Sequence, residues 1–398
     1  MLCAGITIRF AFRASICIAI SVLVTSPAFT NAIVSGQTDT KKNDKKEDKK
    51  EDKKDEKKKA EPFPVRKLTQ GFGFYGVGPV SPDGKHLLLL GKKPDGAPNV
   101  YIMDVSDFAI RSPLTRFQWG AGDPQWSPDG SLVALAGFGE TASFSDLYVV
   151  DVNSGKPVRL TKNNFTDKDP VFTPNGKRVL FTTDESPLPD AAFGILHIAS
   201  VATAGGKTEY FTEDEVSSIR PGISADGKSV LLIQINEHSG RHSLWQYGLD
   251  GKPQRDLTER KFARIHQYVP NAQAGIIVIW GQEEVEQQDT IYILDFNSRE
   301  VRDLPEPDLP KRSPAVSPSG KLIAFVGPTG TGGQLFLFDS ATGQIQQITN
   351  KGQRVYSPVF ISNDKLLFGS DRDKESELYL LDLAPPAAAP AADEKKKK

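Results

Sequence analysis

The residue types that enzymes use for covalent catalysis are sparse in this chain of 398 residues. Both cysteines, Cys3 and Cys17, lie in an apolar N-terminal segment, so the rest of the chain has no thiol nucleophile and no thiolate metal ligand. The Gly-x-Ser-x-Gly elbow of serine hydrolases does not occur in the sequence. The glycine-rich stretch 327–333 lacks the Lys-Ser/Thr ending of a phosphate-binding loop, and we interpret it as a hairpin. The sequence therefore predicts no catalytic residue.

A recurring turn motif, Pro-x-x-Ser-Pro-Asp-Gly with its variants, indicates the elements that must position any functional group. Successive copies are separated by 45, 46, 51, 48, 45 and 44 residues. A period of about 40–50 residues built from short strands is typical of a β-propeller. The seven copies start at Pro79, Pro124, Pro170, Pro221, Val269, Pro314 and Pro358.

The second copy shows how one repeat forms a blade. Residues 125–127 predict a short inner strand, and the following Pro128-Asp129-Gly130 predicts a turn, because proline fixes φ and glycine accepts positive φ. The apolar run 132–136 and the β-branched and aromatic run 147–152 have the composition of buried strands. A turn at 153–155 leads to an outer strand at 157–161, which ends in Leu-Thr. Each repeat thus predicts a blade of four strands.

The two ends of the repeat region indicate how the ring closes. The last copy stops after its third strand, at Leu383, and a spare strand with the same Leu-Thr ending, 64–69, precedes the first copy. A strand borrowed from the opposite end of the chain would pair the open edge. We therefore predict an all-β fold, a seven-bladed β-propeller of four-stranded blades over 63–383, closed by an N-terminal outer strand. Blade five has lost the turn motif, so its completeness is left open.

The segments outside the repeats predict export and flexible ends. Residues 1–32 combine Arg9 and Arg13 with an apolar stretch and small residues, as secretory signal peptides do. The apolar stretch is shorter than the roughly 20 residues of a membrane helix, so we expect no membrane span after signal cleavage. Residues 33–62 predict a disordered charged linker, and 384–398 predict a disordered Pro/Ala-rich and lysine-rich tail. The predicted location is periplasmic or secreted.

The charge balance argues against nucleic acid as a partner. The whole chain has a formal net charge of −1. Residues 61–392, which contain all the repeats, hold 32 basic and 40 acidic residues, so the predicted propeller is acidic. A nucleic-acid surface requires the opposite sign.

Metal-dependent propeller enzymes gather histidines and carboxylates at the central channel. This chain has five histidines, and only His266 lies on a segment expected to enter that channel. His238 and His242 flank a hairpin tip with Glu237 nearby and are the best-placed metal candidates, although a solvated turn is the simpler interpretation. The sequence therefore predicts neither a metal site nor any other cofactor.

The segments that join each outer strand to the next inner strand would rim one mouth of the channel. They carry aromatic residues and arginines, which are typical interface anchors, while the alternative is that several of them pack beneath the loops. We expect a protein partner or another envelope component to bind this rim, with a glycan as a further candidate. The predicted binding residues are Phe74, Tyr75, Trp119, Asp169, Arg220, His266, Tyr268, Arg312, Arg354 and Tyr356.

The repeats resemble those of the TolB family of propellers. The resemblance is carried by the Pro-x-x-Ser-Pro-Asp-Gly-Lys starts, by Leu-Leu-Phe-Gly-Ser-Asp-Arg-Asp at 366–373 and by Glu-Leu-Tyr-Leu-Leu-Asp at 377–382. It covers nearly all of 63–383, and the same repeats also resemble the propeller of prolyl-oligopeptidase-type serine hydrolases. The resemblance implies an exported, non-catalytic propeller that binds other macromolecules.

The predicted function is accordingly that of an exported, monomeric, non-catalytic TolB-like propeller that acts as a protein-binding or scaffold module in the cell envelope. The alternative is a metal-dependent propeller enzyme, of the lyase or lactonase type, that acts at the channel mouth. A third hypothesis is a structural envelope protein held by its lysine-rich ends.

Overall fold

The computed structural model describes residues 62–384, apart from 93–95, 141, 188–193, 213–214, 306–308, 330–331 and 351–353. The side chains of Phe74 and Tyr75 also lie outside this description. The chain divides into two units, Met1–Glu56 and Lys57–Lys398, and the described residues all belong to the second. The predicted signal peptide and nearly all of the predicted linker and tail therefore lie outside the described residues.

The described residues form seven antiparallel sheets and contain no α-helix. The first strand and blades one to three comprise β1 (Val65–Lys67), β2 (Phe74–Val80), β3 (His86–Gly91), β4 (Asn99–Asp104), β5 (Ala121–Trp126), β6 (Leu132–Gly137), β7 (Asp146–Asp151), β8 (Pro157–Arg159), β9 (Asp167–Phe172), β10 (Arg178–Thr183), β11 (His197–Ala202) and β12 (Glu209–Tyr210). Blades four and five comprise β13 (Ser217–Ile223), β14 (Ser229–Ile235), β15 (His242–Gly248), β16 (Pro253–Asp256), β17 (Arg264–Asn271), β18 (Ile276–Gln282), β19 (Thr290–Asp295) and β20 (Val301–Asp303). Blades six and seven comprise β21 (Arg312–Val316), β22 (Leu322–Thr329), β23 (Gly332–Asp339), β24 (Gln344–Gln347), β25 (Val355–Phe360), β26 (Lys365–Ser370) and β27 (Glu377–Asp382).

The seven-bladed, all-β architecture is confirmed. Six sheets have four strands, including blade five, whose order is β17-β18-β19-β20. The sheet of blade one has three strands, and its outer strand is reduced to a bridge between Met103 and Ile110. Pro113 follows soon after this bridge and has no N–H to donate, which shortens the pairing there.

Blade seven confirms the predicted closure, because β1 is its outer strand. β1 pairs antiparallel with β27, with Val65 opposite Leu381. Beyond β1 the Gly71 amide donates a hydrogen bond of 2.5 Å to Oε1 of Glu377, and the Thr69 hydroxyl donates to Oε2 of the same carboxylate. Since the Glu377 side chain is fully buried, these bonds fix the N-terminal strand to the last blade.

Local hydrogen bonds explain the recurring motifs. In the second copy the Ser127 hydroxyl donates to Asp129 at 2.6 Å and accepts from the Leu132 amide at 2.9 Å, while Gly130 has a φ of +73°. In six repeats the threonine that follows Leu, Phe or Ile at the end of the outer segment accepts a hydrogen bond from an amide near the start of the third strand. This bond is made by Thr69, Thr115, Thr161, Thr212, Thr258 and Thr349.

The hydrophobic core lies between neighbouring blades. Leu88 of β3 belongs to the same buried cluster as Val133 of β6, and Leu89 of β3 belongs to a cluster with Leu367 of β26. The second strand of each blade is therefore buried on both faces, which explains its continuous apolar sequence. In the part of the chain that the structure describes, no helix is long and apolar enough to cross a membrane.

Candidate active site in the channel

The innermost strands β2, β5, β9, β13, β17, β21 and β25 each carry a β-bulge. In five of them the residue before the motif proline has a positive φ of about 50°, although it is not glycine. Positive φ is unfavourable for a residue with a Cβ, and such strained positions and bulges cluster at functional sites. We call the positions directly before each motif start the bulge ring; they are occupied by Gly78, Asp123, Asp169, Arg220, Tyr268, Ser313 and Ser357. Six of them lie within the bulge of their strand, whereas Tyr268 is regularly paired with Ile279 and the bulge of β17 lies between Ile265 and Gln267.

The bulge ring is chemically asymmetric. The consecutive blades two, three and four contribute Asp123, Asp169 and Arg220, and Nη1 of Arg220 lies 4.0 Å from Oδ1 of Asp169. Blades six, seven and one contribute only two serines and a glycine. One half of the ring thus carries charge, and the other half has small side chains. We call the first half the charged half of the channel.

Asp123 has an unusual environment for a carboxylate. Its side chain is surrounded by protein but keeps part of its surface open, as expected for a group that faces a narrow channel. Burial and, second, the nearby charge of Asp169 raise the pKa of Asp123 from 3.8 to about 6. The charges of Arg220 and Lys168 and a hydrogen bond from the backbone amide of Asp169 act in the opposite direction. A carboxyl group whose pKa lies near neutrality can exchange protons with a substrate.

Hydrogen bonds to neighbouring blades hold the charged half in place. The Tyr268 hydroxyl lies 2.8 Å from the carbonyl oxygen of Arg220 and 2.9 Å from that of Leu231. The Arg220 amide donates to the Thr182 hydroxyl at 3.0 Å. Burial raises the pKa of Tyr268, so this phenol stays protonated and its hydrogen bonds link blade five to blade four.

The structure brings together three of the ten residues predicted for the rim, namely Asp169, Arg220 and Tyr268. His266 lies elsewhere: its Nε2 is 3.0 Å from Asp289, and its ring lies 4.5 Å from that of Trp280.

The remaining rim residues are dispersed. Trp119 is 48% exposed, and Arg312 is exposed at the start of β21. Nε of Arg354 lies 3.2 Å from Asp371. The Tyr356 hydroxyl contacts Ser376, and burial raises the pKa of Tyr356 to about 12. The side chains of Phe74 and Tyr75 are outside the described residues.

Asp123 and Lys168 were missed by the sequence-based prediction. Lys168 stands next to the predicted residue Asp169, and Asp123 is 46 residues away from Asp169 along the chain. The signal that could have found Asp123 is its place in the repeat, directly before the motif proline, where Asp169 and Arg220 also stand. The residue type at that position varies between blades, whereas the turn glycine of the motif recurs at 84, 130, 176, 227, 275 and 320. A position that varies while its neighbours are kept is a candidate for function.

The donor set near the channel does not fit a resident metal ion. Within the described parts of the chain, no group of three His, Cys, Asp or Glu side chains is placed to hold one. Asp123 and Asp169 supply two carboxylates, whereas the imidazole of His266 is engaged with Asp289. The chemistry of this site is therefore derived from its own side chains.

A ring of seven blades with charged groups on inner-strand bulges defines a β-propeller with a channel site. The family model described as the TolB beta propeller domain matches residues 77–312, which is more than half of the chain. The protein therefore belongs to the TolB β-propeller family, as its repeats predicted.

Two curated relatives illustrate the range of proteins that share these repeats. The chain is 27% identical over 146 residues to the uncharacterized peptidase YuxL of Bacillus subtilis, covering 28% of this chain and 22% of that protein. It is 27% identical over 190 residues to the Tol-Pal system protein TolB of Francisella tularensis, covering 47% and 41% respectively. The chain thus spans less than half the length of these relatives.

Solved structures match the propeller more completely. The oligogalacturonate lyase of Vibrio parahaemolyticus superposes with a TM-score of 0.61 at 17% identity, over 80% of this chain and 93% of the lyase. An oligogalacturonate lyase in complex with manganese gives a TM-score of 0.57 at 17% identity, over 81% and 94%. Puromycin hydrolase gives 0.60 at 16% identity, over 79% and 55%. At these identities the likeness itself shows the shared fold.

These comparisons contradict the prediction of a non-catalytic binding or scaffold module. Lyases and hydrolases carry this propeller, one curated relative is named a peptidase, and the lyases match it over almost their whole length. The alternative prediction, a propeller enzyme, fits them better. The prediction rested on the lack of a nucleophile elbow, a phosphate-binding loop and a histidine cluster in the sequence. Carboxylates and cations contributed by different blades, as in the charged half of the channel, form no such motif.

Proposed function

We propose that this chain is a carbohydrate-active enzyme of the lyase type, which cleaves uronate-containing oligosaccharides in the charged half of the channel. The observation that carries the proposal is the contact between Asp123 and Asp169 beside Arg220, on strained bulges of three consecutive blades. The match to oligogalacturonate lyases over almost their full length supports the substrate class.

The roles follow from the charges. Arg220 and Lys168 are the cations near the acid pair, and they would neutralise the carboxylate of a uronate residue. That neutralisation acidifies the C–H bond next to the sugar carboxylate. Asp123, largely ionised at neutral pH, would take this proton, and its pKa of about 6 suits a general base.

The elimination balances without an added oxidant or water. The C–H electron pair forms a carbon–carbon double bond in the ring, and the bond from the next carbon to the glycosidic oxygen breaks. The departing oxygen receives a proton, for which protonated Asp123 is the nearby source. The products are a shortened oligosaccharide and one with an unsaturated uronate at its new end.

Activity on galacturonate oligosaccharides tests the proposal. Wild type should produce the ultraviolet absorbance of the unsaturated product, with a rate that rises as pH passes about 6. Asp123→Asn should lose at least about 100-fold in kcat. Asp129→Asn is the matched control, because it removes a carboxylate from the turn at the other end of β5. Full activity of Asp123→Asn, or no unsaturated product from wild type, would refute the proposed reaction.

We also propose that the protein is exported. We place the mature protein in the periplasm or outside the cell, on the strength of the signal-like residues 1–32. Cell fractionation of full-length and 1–32-deleted protein tests this. Retention of both in the cytoplasm would contradict it. Association with a protein partner and the monomeric state stay predictions from the sequence.

A further inference from the structure

The exposed aromatic residues of the propeller are unevenly distributed. Trp119 is 48% exposed, Phe144 is 39% exposed and Phe165 is 37% exposed, and no other described aromatic side chain is comparably exposed. All three belong to blade two or to the segments that flank its sheet. Large apolar groups held in water at one place indicate a binding surface.

Two of these aromatics occupy equivalent positions in consecutive repeats. Trp119 precedes Asp123 by four residues, and Phe165 precedes Asp169 by four residues. Each therefore lies at the channel-mouth end of an inner strand that carries one member of the acid pair. In the sequence, the same position is occupied by Phe74 in blade one and by Gln353 in blade seven, and by Val216, Arg264 and Leu309 in blades four to six.

We infer that Trp119 and Phe165 form a stacking platform that holds one sugar ring of an anionic oligosaccharide while another ring reaches the Asp123–Asp169 pair. This inference rests on the proposed function for its substrate class. The C–H face of a sugar ring is apolar and packs on an aromatic ring, whereas its hydroxyl edge stays in water. The platform thus supplies the apolar contact that the charged half of the channel lacks.

The spacing limits the distance that the ligand must cover. Four residues of chain span at most about 13 Å, a distance that two or three linked sugar rings can cover. We therefore expect the ligand that touches both the platform and the acid pair to be a short oligosaccharide. The cations Lys168 and Arg220 lie at the inner end of this path and match a carboxylate on the sugar at the cleavage point.

Binding of galacturonate trisaccharide, measured by calorimetry in the Asp123→Asn background, tests the platform without turnover. Trp119→Ala and Phe165→Ala should each weaken binding about tenfold, which corresponds to about 1.4 kcal/mol. Trp119→Phe should restore most of the affinity because it keeps an aromatic face. The matched control is Leu249→Ala. Leu249 is also 48% exposed but follows the end of β15 in blade four, so this variant should bind as the parent does.

Kinetics in the wild-type background separate the platform from the proposed reaction. The platform variants should raise KM for the trisaccharide about tenfold and leave kcat within about twofold. Equal binding and equal KM in the platform and control variants would overturn the platform, even if wild type is an active lyase. Conversely, if the platform variants bind the trisaccharide more weakly but the wild type forms no unsaturated product, the platform is supported and the proposed lyase reaction is refuted.

Discussion

Replacement of Asp123 by asparagine should make the folded protein more stable at neutral pH. Asparagine has the same shape and can still accept the hydrogen bond from the Asp169 amide, but it carries no charge. The pKa of Asp123 rises from 3.8 to about 6 because burial and Asp169 disfavour its ionised form. A shift of about two units corresponds to about 3 kcal/mol, and the partial opening of the side chain to channel water reduces the expected gain to about 1–2 kcal/mol.

The sign of this effect depends on pH in a defined way. Because the folded-state pKa of Asp123 is raised, its contribution to stability is fully present below about pH 4 and is lost as the pH rises through about 6. The free energies of unfolding of wild type and Asp123→Asn should therefore agree below about pH 4, separate between about pH 4 and pH 6, and differ by a constant amount above that range, with the variant the more stable.

Urea denaturation followed by intrinsic fluorescence at several pH values measures this difference. Asp129→Asn is an informative control, because hydrogen bonds from Ser127 and Ser131 lower the pKa of Asp129. Its replacement should lower stability at neutral pH, the opposite sign to Asp123→Asn. A difference between wild type and Asp123→Asn that does not change with pH would show that Asp123 is not held in the environment described. An increase in stability accompanied by loss of activity is the usual signature of a catalytic group.

Two further substitutions test other parts of the fold. Glu377→Ala should leave the Thr69 hydroxyl and the Gly71 amide without their acceptor and lower the free energy of unfolding by about 2–5 kcal/mol; an unchanged melting temperature would contradict closure through this carboxylate. Burial and the charge of Arg264 lower the pKa of His242 from 6.5 to about 4, so wild type should lose about 1–3 kcal/mol as the pH falls from about 6.5 to about 4. His242→Gln should reduce that loss in urea denaturation across the same pH range, and an equally steep loss would refute the assignment.

The architecture was predictable because its signals are local and repeated. Ser127, Asp129 and Gly130 form their turn with hydrogen bonds that span five residues at most, and Thr161 caps a strand of its own blade. Each such bond is determined by a short stretch of sequence, and seven copies reinforce one another. The closing strand was also predictable, because a missing outer strand and a spare one stood at opposite ends.

The site was only partly predictable because it depends on the relation between blades. Asp123 meets Asp169 only because both inner strands bulge at the same step and present that position to the same axis. The amino-acid composition does not reveal that the two strands bulge at the same position. Conversely, Tyr356 and His266 satisfied the composition expected of a rim, and yet both lie on inner strands and contact Ser376 and Trp280 of their own blades.

The strained bulges have a consequence for how this fold can change over time. A left-handed residue followed by proline fixes the backbone without reference to the side chain it carries; in this chain aspartate, arginine and serine all occupy that conformation. A substitution at this position of one blade therefore changes a side chain in the channel, while the strand pairing and the cores between blades are unaffected. The fold therefore allows the functional groups of the channel to evolve independently, one blade at a time, on an unchanged backbone.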